Sequence, residues 1–511
     1  MWLLVPDAAL FVSIVTLFYC LILFDAPRKL FRDSDTGWHI ITGEKILEER
    51  KLPRTDPYSF TRARQPWVAW EWGADCLMAL AAQRAGLTGV TWMFVIAIAA
   101  VTWFWFHLNW VVNGNFLFAC LLAAPMLSTA SLHWLARPHV FSWMLMLACL
   151  WFFENSDFRS QSPFRVRHAA VVFFGAGLWA NLHASFLFLP VAAAVYAASH
   201  LLRPLLWNLD RQIEWRRARW YTFAAFCGLG GSILNPYGLG LHRHVLQYLA
   251  DSALLDRVGE FQTFNFHVDG AAQILLALAI VAAGGVLALS QKKLAHFLLI
   301  AAFLAAALRS ARGLPIAAIL LLPLANGAIT DALRKARDLK PALRAYLSAF
   351  LQYSDHLRLI DARLAGLWLA PVMAALAFLW LLVPGVSAHT GFAPDQFPVY
   401  AAEELRNLQG DVRLFAPDMY GGYIIYRYQG RRQVFFDGRS DFYGSGFMKQ
   451  YIRLIEVRPG WQEQLRDFGI THVLVPRDSS LAGALEQVGW TMLYRDDVAV
   501  LFARDKAALS R

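Results

Sequence analysis

Apolar residues fill long segments of this 511-residue chain, and polar residues gather in the links between them. About 20 apolar residues suffice to cross the hydrocarbon layer of a membrane as a helix. The pattern predicts about eleven spanning helices, at residues 8–24, 88–106, 114–130, 138–154, 169–182, 185–200, 220–235, 271–290, 295–308, 314–330 and 366–384. We therefore expect a polytopic α-helical membrane protein, with a membrane domain over 1–385 that contains a first external loop at 26–87.

The pattern changes after residue 385. Short runs there alternate apolar and polar residues, and helix-like stretches separate them. Strands are predicted at 412–415, 423–428, 433–436, 472–475 and 498–502. The segment 386–511 is expected to be a soluble α/β domain with its own core.

Composition and charge placement support the membrane class and set an orientation. Hydrophobic residues make up 58% of the chain and charged residues only 16%, which excludes an ordinary soluble enzyme. Arginines concentrate in the short links 155–168 and 201–219, so these links are predicted to be cytoplasmic. The N-terminus is then cytoplasmic and the C-terminal domain extracytoplasmic, in the inner membrane of a bacterium. The net charge of +10 follows from this bias, so no nucleic-acid partner is expected.

Two carboxylates and an imidazole come directly after the first apolar segment, as Asp33, Asp35 and His39 in the run RDSDTGWH. Ionisable groups at a membrane edge are usually functional. Asp33 and Asp35, two residues apart, suit either a general base with a supporting acid or a divalent cation, the one cofactor that the sequence suggests. The alternative is structural: Asp35 caps a helix that begins near Gly37, and Asp33 is solvated.

Other polar side chains fall on the same predicted external face, which favours one external site. The candidates for substrate binding are Asp56, Glu71, Arg137, His139, His183, Asn235, Tyr237, Arg309 and Arg312. Arg309 and Arg312, three residues apart on one helical turn, match a phosphate or diphosphate group. Each candidate also has a plainer interpretation, since His and Arg are common at membrane interfaces and Asn-Pro-Tyr is typical of a helix end.

Two motifs mark the C-terminal segment. Gly421 and Gly422 indicate a tight turn or a close backbone approach. Asp437 and Arg439 form either an internal ion pair or part of an acceptor-binding surface.

The runs DSDTGWHIITGEKILEERKLPRTDPYSFT, ARPHVFSW, LNPYG and FFDGRSDFYG, together with the predicted spans and C-terminal domain, resemble the GT-C superfamily of membrane glycosyltransferases. The similarity extends over nearly the whole chain, to a poorly characterised bacterial GT-C-like group and more distantly to protein O-mannosyltransferases and aminoarabinose transferases. It implies a polyprenyl-phosphate sugar donor, with a catalytic role for Asp33 or Asp35 and a donor-phosphate role for Arg309 and Arg312. The chain has Asp-Ser-Asp where the common motif is Asp-Glu, so which carboxylate is the base stays open.

Two other functions use the same residues. A transporter or flippase of lipid-linked saccharides binds such groups without cleaving a bond, although its polar groups are expected at mid-bilayer and in repeated halves, and neither feature is found. A non-catalytic scaffold is the third possibility. The sugar and the acceptor, whether protein, lipid or glycan, are not specified by the sequence.

Overall fold

The computed structural model describes residues 4–155, 164–336, 338–408 and 411–504, and these residues are mostly helical. The longer helices of the N-terminal part are Ala8–Phe18, Asp35–Glu49, Trp72–Val111, Phe116–Ala130, His139–Glu154, Val166–Leu182, Phe188–Trp207, Arg211–Ser232, Leu239–Ala250, Ala271–Ser290, Leu294–Arg309, Gly313–Lys335, Pro341–Asp361 and Leu369–Leu381. Those of the C-terminal part are Val399–Asn407, Asp418–Arg427, Ser440–Ile455, Trp461–Asp467 and Ser480–Gln487.

Every predicted apolar segment lies largely within a helix, but few of these helices are long spans. Among the described residues, five helices are long and apolar enough to cross a membrane, or six if Pro341–Asp361 and Gly366–Leu381, bent by 62°, form one span. Three further apolar helices are shorter: Ala8–Leu23, His139–Glu154 and Leu294–Arg309. The polytopic helical class is confirmed, and the count of eleven stays a prediction.

The longest helix, Trp72–Val111, contains a break just before its predicted span, which starts at residue 88. Ala85 and Gly86 have non-helical backbone angles, with Gly86 at φ +60°. Glycine adopts such a conformation at little cost. The first part of the helix therefore changes direction before the apolar span begins.

A four-stranded sheet forms the centre of the C-terminal part. The strands are β1 (Leu414–Phe415), β2 (His472–Pro476), β3 (Thr491–Arg495) and β4 (Ala499–Ala503), in the spatial order β1-β2-β4-β3. β1 pairs parallel to β2, and β4 pairs antiparallel to both β2 and β3.

Two of the predicted strands are wrong, and one real strand was not predicted. The run 423–428 lies in the helix Asp418–Arg427, because nearly all of its residues are apolar or aromatic and a short apolar run does not reveal its period. The run 433–436 makes only an isolated bridge, from Val434 to Ser59 of the first loop. β3 was missed because its residues are largely exposed and lack a clear apolar alternation.

The first loop and the C-terminal part share one hydrophobic core. Trp38, Tyr58 and Trp67 from the loop pack in the same cluster as Tyr420 and Leu474. This shared core fixes the first loop against the sheet.

Glycines allow the two helices at this contact to approach closely. A Cβ atom on Gly422 would lie 2.1 Å from the carbonyl oxygen of Ser34, and one on Gly37 would lie 2.3 Å from the carbonyl oxygen of Gly422. The predicted close backbone approach is thus confirmed, although the paired glycines lie in a helix and not in a turn. The contact fixes the point at which the helix carrying Asp35 begins.

Candidate active site

One large cavity, of about 1000 Å³, lies where the first loop, the link before His139, the segment 239–270 and the C-terminal part meet. Its polar lining includes Arg32, Asp33, Asp35, Glu71, Asp75, His133, Arg137, His183, Glu260, Arg309, Arg312, Asp418, Arg439 and Asp441. Seven of the twelve predicted site residues line it: Asp33, Asp35, Glu71, Arg137, His183, Arg309 and Arg312. Residues far apart in sequence therefore form one polar chamber.

Arg137 lies at the centre of the acidic residues. Its guanidinium binds Asp33 (Nη1 to Oδ2, 2.6 Å), Asp35 (Nη2 to Oδ2, 3.0 Å) and Glu260 (Nη1 to Oε1, 2.9 Å). Glu260 also binds Arg312, with Nη1 3.2 Å from Oε2. Three carboxylates thus share one largely buried arginine.

These contacts set the protonation of the cluster. Burial raises the pKa of Asp35 to about 8, and Asp33 adds to the rise while Arg137 opposes it. Burial also disfavours the charge of Glu260, but Arg137 and Arg312 hold its pKa well below the usual range. Burial therefore shifts the pKa of Asp35 upwards, whereas two arginines hold that of Glu260 down.

The structural alternative for the Asp-Ser-Asp motif, in which Asp35 caps the helix and Asp33 is solvated, assigns the two residues wrongly. The helix begins at Asp35 itself, after Ser34, and the Oδ1 atom of Asp33 accepts a hydrogen bond from the backbone N–H of Asp35 at 2.9 Å. Asp33 is the residue that satisfies the helix start, and its other oxygen binds Arg137. Asp33 therefore caps the helix with one carboxylate oxygen and joins the acidic cluster with the other.

The C-terminal part contributes directly to the position of Asp35. Gly438 packs so closely against the carboxylate that a Cβ atom there would lie 1.9 Å from Asp35 Oδ1. Next to Gly438, Arg439 is buried and binds Asp437 (Nε to Oδ1, 2.8 Å) and Asp56 (Nη2 to Oδ1, 2.8 Å). The predicted internal Asp437–Arg439 pair is confirmed, and it holds the backbone at Gly438.

A second group of ionisable residues surrounds Glu71. Glu71 Oε1 lies 3.3 Å from His183 Nε2, and Glu71 Oε2 lies 3.8 Å from His39 Nε2. The Nδ1 atom of His39 lies 2.6 Å from Asp75 Oδ1. Burial raises the pKa of Glu71 to about 7, against the opposing effect of Arg137 and Arg312.

Arg309 and Arg312 line the cavity from two sides of a helix break. Arg309 ends the helix Leu294–Arg309, and Arg312 precedes the helix Gly313–Lys335, so they do not share one helical turn as predicted. The exposed Arg309 forms no ion pair with a described residue, whereas Arg312 binds Glu260. Both remain within reach of an anionic group in the same cavity.

Five predicted site residues do not line this cavity. Asp56 is buried and accepts hydrogen bonds from Arg439 and from Ser59. Asn235 orders its own turn, and the Tyr237 hydroxyl accepts a hydrogen bond from the backbone N–H of Ala69 at 3.0 Å. The two others are His139, which contacts the carbonyl oxygen of His133 and lines a small adjoining pocket, and His39, which lies behind Glu71.

The carboxylates present do not fit a divalent cation. Among the described residues, no three His, Cys, Asp or Glu side chains are arranged to hold a metal ion. Oxygen atoms that would coordinate a cation between Asp33 and Asp35 bind the guanidinium of Arg137 instead. The Arg137 guanidinium therefore supplies the positive charge that balances Asp33 and Asp35.

Several residues of the site were not predicted, and three of them matter most for its geometry. Glu260 lies in a run rich in His, acidic and aromatic residues at 241–269, and its charge was the available signal. Gly438 lies between the predicted pair Asp437 and Arg439, and its contact with Asp35 has no local sequence signal. Asp75 follows Glu71 by four residues, a helical spacing that places both carboxylates on one face, and this signal was overlooked.

Comparison with solved structures identifies the fold. The oligosaccharyltransferase AglB of Archaeoglobus fulgidus, in complex with an inhibitory peptide and a dolichol-phosphate, matches with a TM-score of 0.57 at 10% identity, over 98% of this chain and 74% of that chain. An A. fulgidus oligosaccharyltransferase with zinc and sulfate matches with a TM-score of 0.55 at 12% identity, over 92% and 68%. No protein-family model matches the sequence, and no curated protein is significantly similar to it. The chain therefore shares the fold of these oligosaccharyltransferases, as the resemblance noted from the sequence implies.

Proposed function

We propose that this protein is a membrane glycosyltransferase that moves a sugar from a polyprenyl-phosphate donor to a hydroxyl-bearing acceptor. The observation that carries the proposal is the single cavity in which an acidic cluster meets Arg309 and Arg312 next to apolar helices. The fold is that of a protein solved with a dolichol-phosphate, which is the same class of lipid.

The chemistry follows from the charges in the cavity. A carboxylate accepts the proton of the acceptor hydroxyl as its oxygen attacks the anomeric carbon of the sugar. The bond from that carbon to the phosphate oxygen breaks, and the lipid phosphate leaves. Arg309 and Arg312 stabilise the charge that develops on the phosphate, since guanidinium groups form charged hydrogen bonds to phosphate oxygens.

Orientation is part of the proposal. The basic links 155–168 and 201–219 favour the cytoplasm, which puts the cavity and the C-terminal domain on the extracytoplasmic side of a bacterial inner membrane. A polyprenyl donor would then enter sideways between helices and present its phosphate at the membrane surface.

Transfer by purified protein in liposomes tests the function. Labelled sugar from a panel of polyprenyl-phosphate donors should be transferred to an acceptor or released by hydrolysis, and Arg309→Gln combined with Arg312→Gln should abolish this. Labelled lipid that crosses the bilayer intact would support a transporter instead. A protein that neither cleaves nor moves any donor, and whose cavity variants keep the cellular phenotype of the wild type, would be a scaffold.

A further inference from the structure

Glu71 differs from the other acidic residues of the cavity in what it contacts. Asp33, Asp35 and Glu260 all bind Arg137. No arginine or lysine among the described residues forms an ion pair with Glu71, whose side chain is 12% exposed. Its two oxygens face two histidines instead. Glu71 is therefore the cavity carboxylate whose oxygens are not engaged by a guanidinium.

His183 holds one of these oxygens in place. The backbone N–H of Ser185 donates to His183 Nδ1 at 3.2 Å, so this ring nitrogen carries no proton. Burial, Arg312 and Arg137 lower the pKa of His183 to about 3, so the ring is neutral at physiological pH. The proton of the neutral ring is then on Nε2, which points a donor at Glu71 Oε1.

His39 faces the other oxygen of Glu71. Its side chain is fully buried, and its Nδ1 atom lies 2.6 Å from Asp75 Oδ1. Which ring nitrogen of His39 carries the proton depends on whether Asp75 donates or accepts in this contact. The Nε2 atom has no hydrogen-bond partner and lies 3.8 Å from Glu71 Oε2. A buried nitrogen without a partner next to a carboxylate is placed to form a hydrogen bond with it.

We propose that Glu71 is the catalytic base of the transfer reaction and that His183 and His39 hold its two oxygens in position. This inference rests on the proposed function. The acceptor O–H bond breaks and its proton passes to Glu71 Oε2, while the oxygen forms a bond to the anomeric carbon. The carbon–oxygen bond to the lipid phosphate breaks, and its electron pair leaves with the phosphate. Asp33 and Asp35 then position Arg137 and do not transfer a proton.

The charges that face Glu71 support this role. Burial disfavours its ionised form, and Asp441 and Glu260 add to this effect, whereas Arg137 and Arg312 oppose it. The resulting pKa of about 7 leaves Glu71 partly ionised at physiological pH. A general base works best when its pKa lies near the operating pH.

The main test compares Glu71→Gln with Glu48→Gln, a matched control at an exposed position of the first loop. Glu71→Gln should lower kcat by about 10²- to 10⁴-fold, the usual contribution of a general base. It should still bind the lipid donor, because Arg309 and Arg312 are unchanged. In Glu71→Ala, added formate should restore part of the rate, which a merely structural role of Glu71 would not explain.

The pH profile separates Glu71 from Asp35. In the wild type, kcat/KM should fall as pH drops through about 7, because the base becomes protonated. Asp35→Asn should keep this acidic limb at a lower overall rate, and Glu71→Gln should lose it.

Several results would overturn the assignment. These are a Glu71→Gln rate within a few-fold of the wild type, a failure of formate to act on Glu71→Ala, or an acidic limb lost in Asp35→Asn and kept in Glu71→Gln. If the wild type transfers no sugar from any donor, the proposed function fails first and the base assignment fails with it. An active wild type with an equally active Glu71→Gln removes only the base.

Discussion

Gly438→Ala should inactivate the protein without unfolding it. Gly438 lies in the C-terminal part, yet its added Cβ atom would lie 1.9 Å from the Oδ1 atom of Asp35. Its backbone φ is not positive, so alanine introduces no backbone strain. The perturbation therefore acts through one contact, between a methyl group and a carboxylate.

The size of the effect follows from the distances. Carbon–oxygen contacts below about 3 Å are not tolerated, so the Asp35 carboxylate must move by roughly 1 Å or more. That shift is large beside the 3.0 Å distance from Asp35 Oδ2 to Arg137 Nη2, and it disturbs the charge balance that Arg137 shares with Asp33 and Glu260. A displacement of about 1 Å in a catalytic site costs on the order of 100-fold in rate.

The assay is sugar transfer in liposomes, with apparent melting temperature in detergent measured alongside. Gly446→Ala is the matched control, because a Cβ atom on this helical glycine meets nothing within 4 Å. The control should keep full activity, and both variants should melt near the wild type. A fully active Gly438→Ala would refute the argument that the C-terminal part positions Asp35, and an equal loss in an Asp35→Ala background would show that the effect does not pass through Asp35.

Three further outcomes are expected. Arg309→Gln should raise KM for the lipid donor about 10- to 100-fold with a smaller change in kcat, because one charged hydrogen bond to phosphate is lost. Arg439→Met should lower the apparent melting temperature and increase proteolysis, since breaking a buried ion pair costs about 3–5 kcal/mol and leaves Asp56 and Asp437 uncompensated. Chelation with EDTA should leave transfer unchanged, and calorimetric titration with Mn²⁺ should detect binding only when Arg137 is replaced by Gln, which frees the acidic pair. A wild type that loses activity in EDTA would contradict the metal-free interpretation.

The sequence was most informative where one physical signal dominates. Long apolar runs gave the membrane helices, because crossing hydrocarbon demands both length and apolarity. It was least informative in the C-terminal part, where the run 423–428 forms a helix and β3 was missed. Short elements there take their conformation from packing against the first loop, and a local pattern does not contain that contact.

The candidate site shows the same limit. The Asp-Ser-Asp motif was found because charges after a membrane helix are unusual, and Arg137 was found for a similar reason. That Arg137 would bind three carboxylates was not predictable, because one of them, Glu260, lies 123 residues away in sequence. Asn235 and Tyr237 make local hydrogen bonds that order a turn and hold Ala69, and their predicted role in substrate binding stays a prediction.

The amino-acid composition changes near residue 385, but the two parts of the chain on either side of this residue pack against each other. Gly438 contacts Asp35 of the first loop. The segment 239–270 also contacts the C-terminal part: His244 Nε2 lies 2.9 Å from Asp441 Oδ2, and the Tyr248 hydroxyl lies 3.2 Å from Ser440 Oγ. The same segment carries Glu260 to Arg137 and Arg312. Any movement of the C-terminal part relative to the helices would therefore change both the cavity wall formed by the segment 239–270 and the position of Asp35. The C-terminal part completes the cavity, and we expect substrate access to depend on the contacts that this part makes with the segment 239–270.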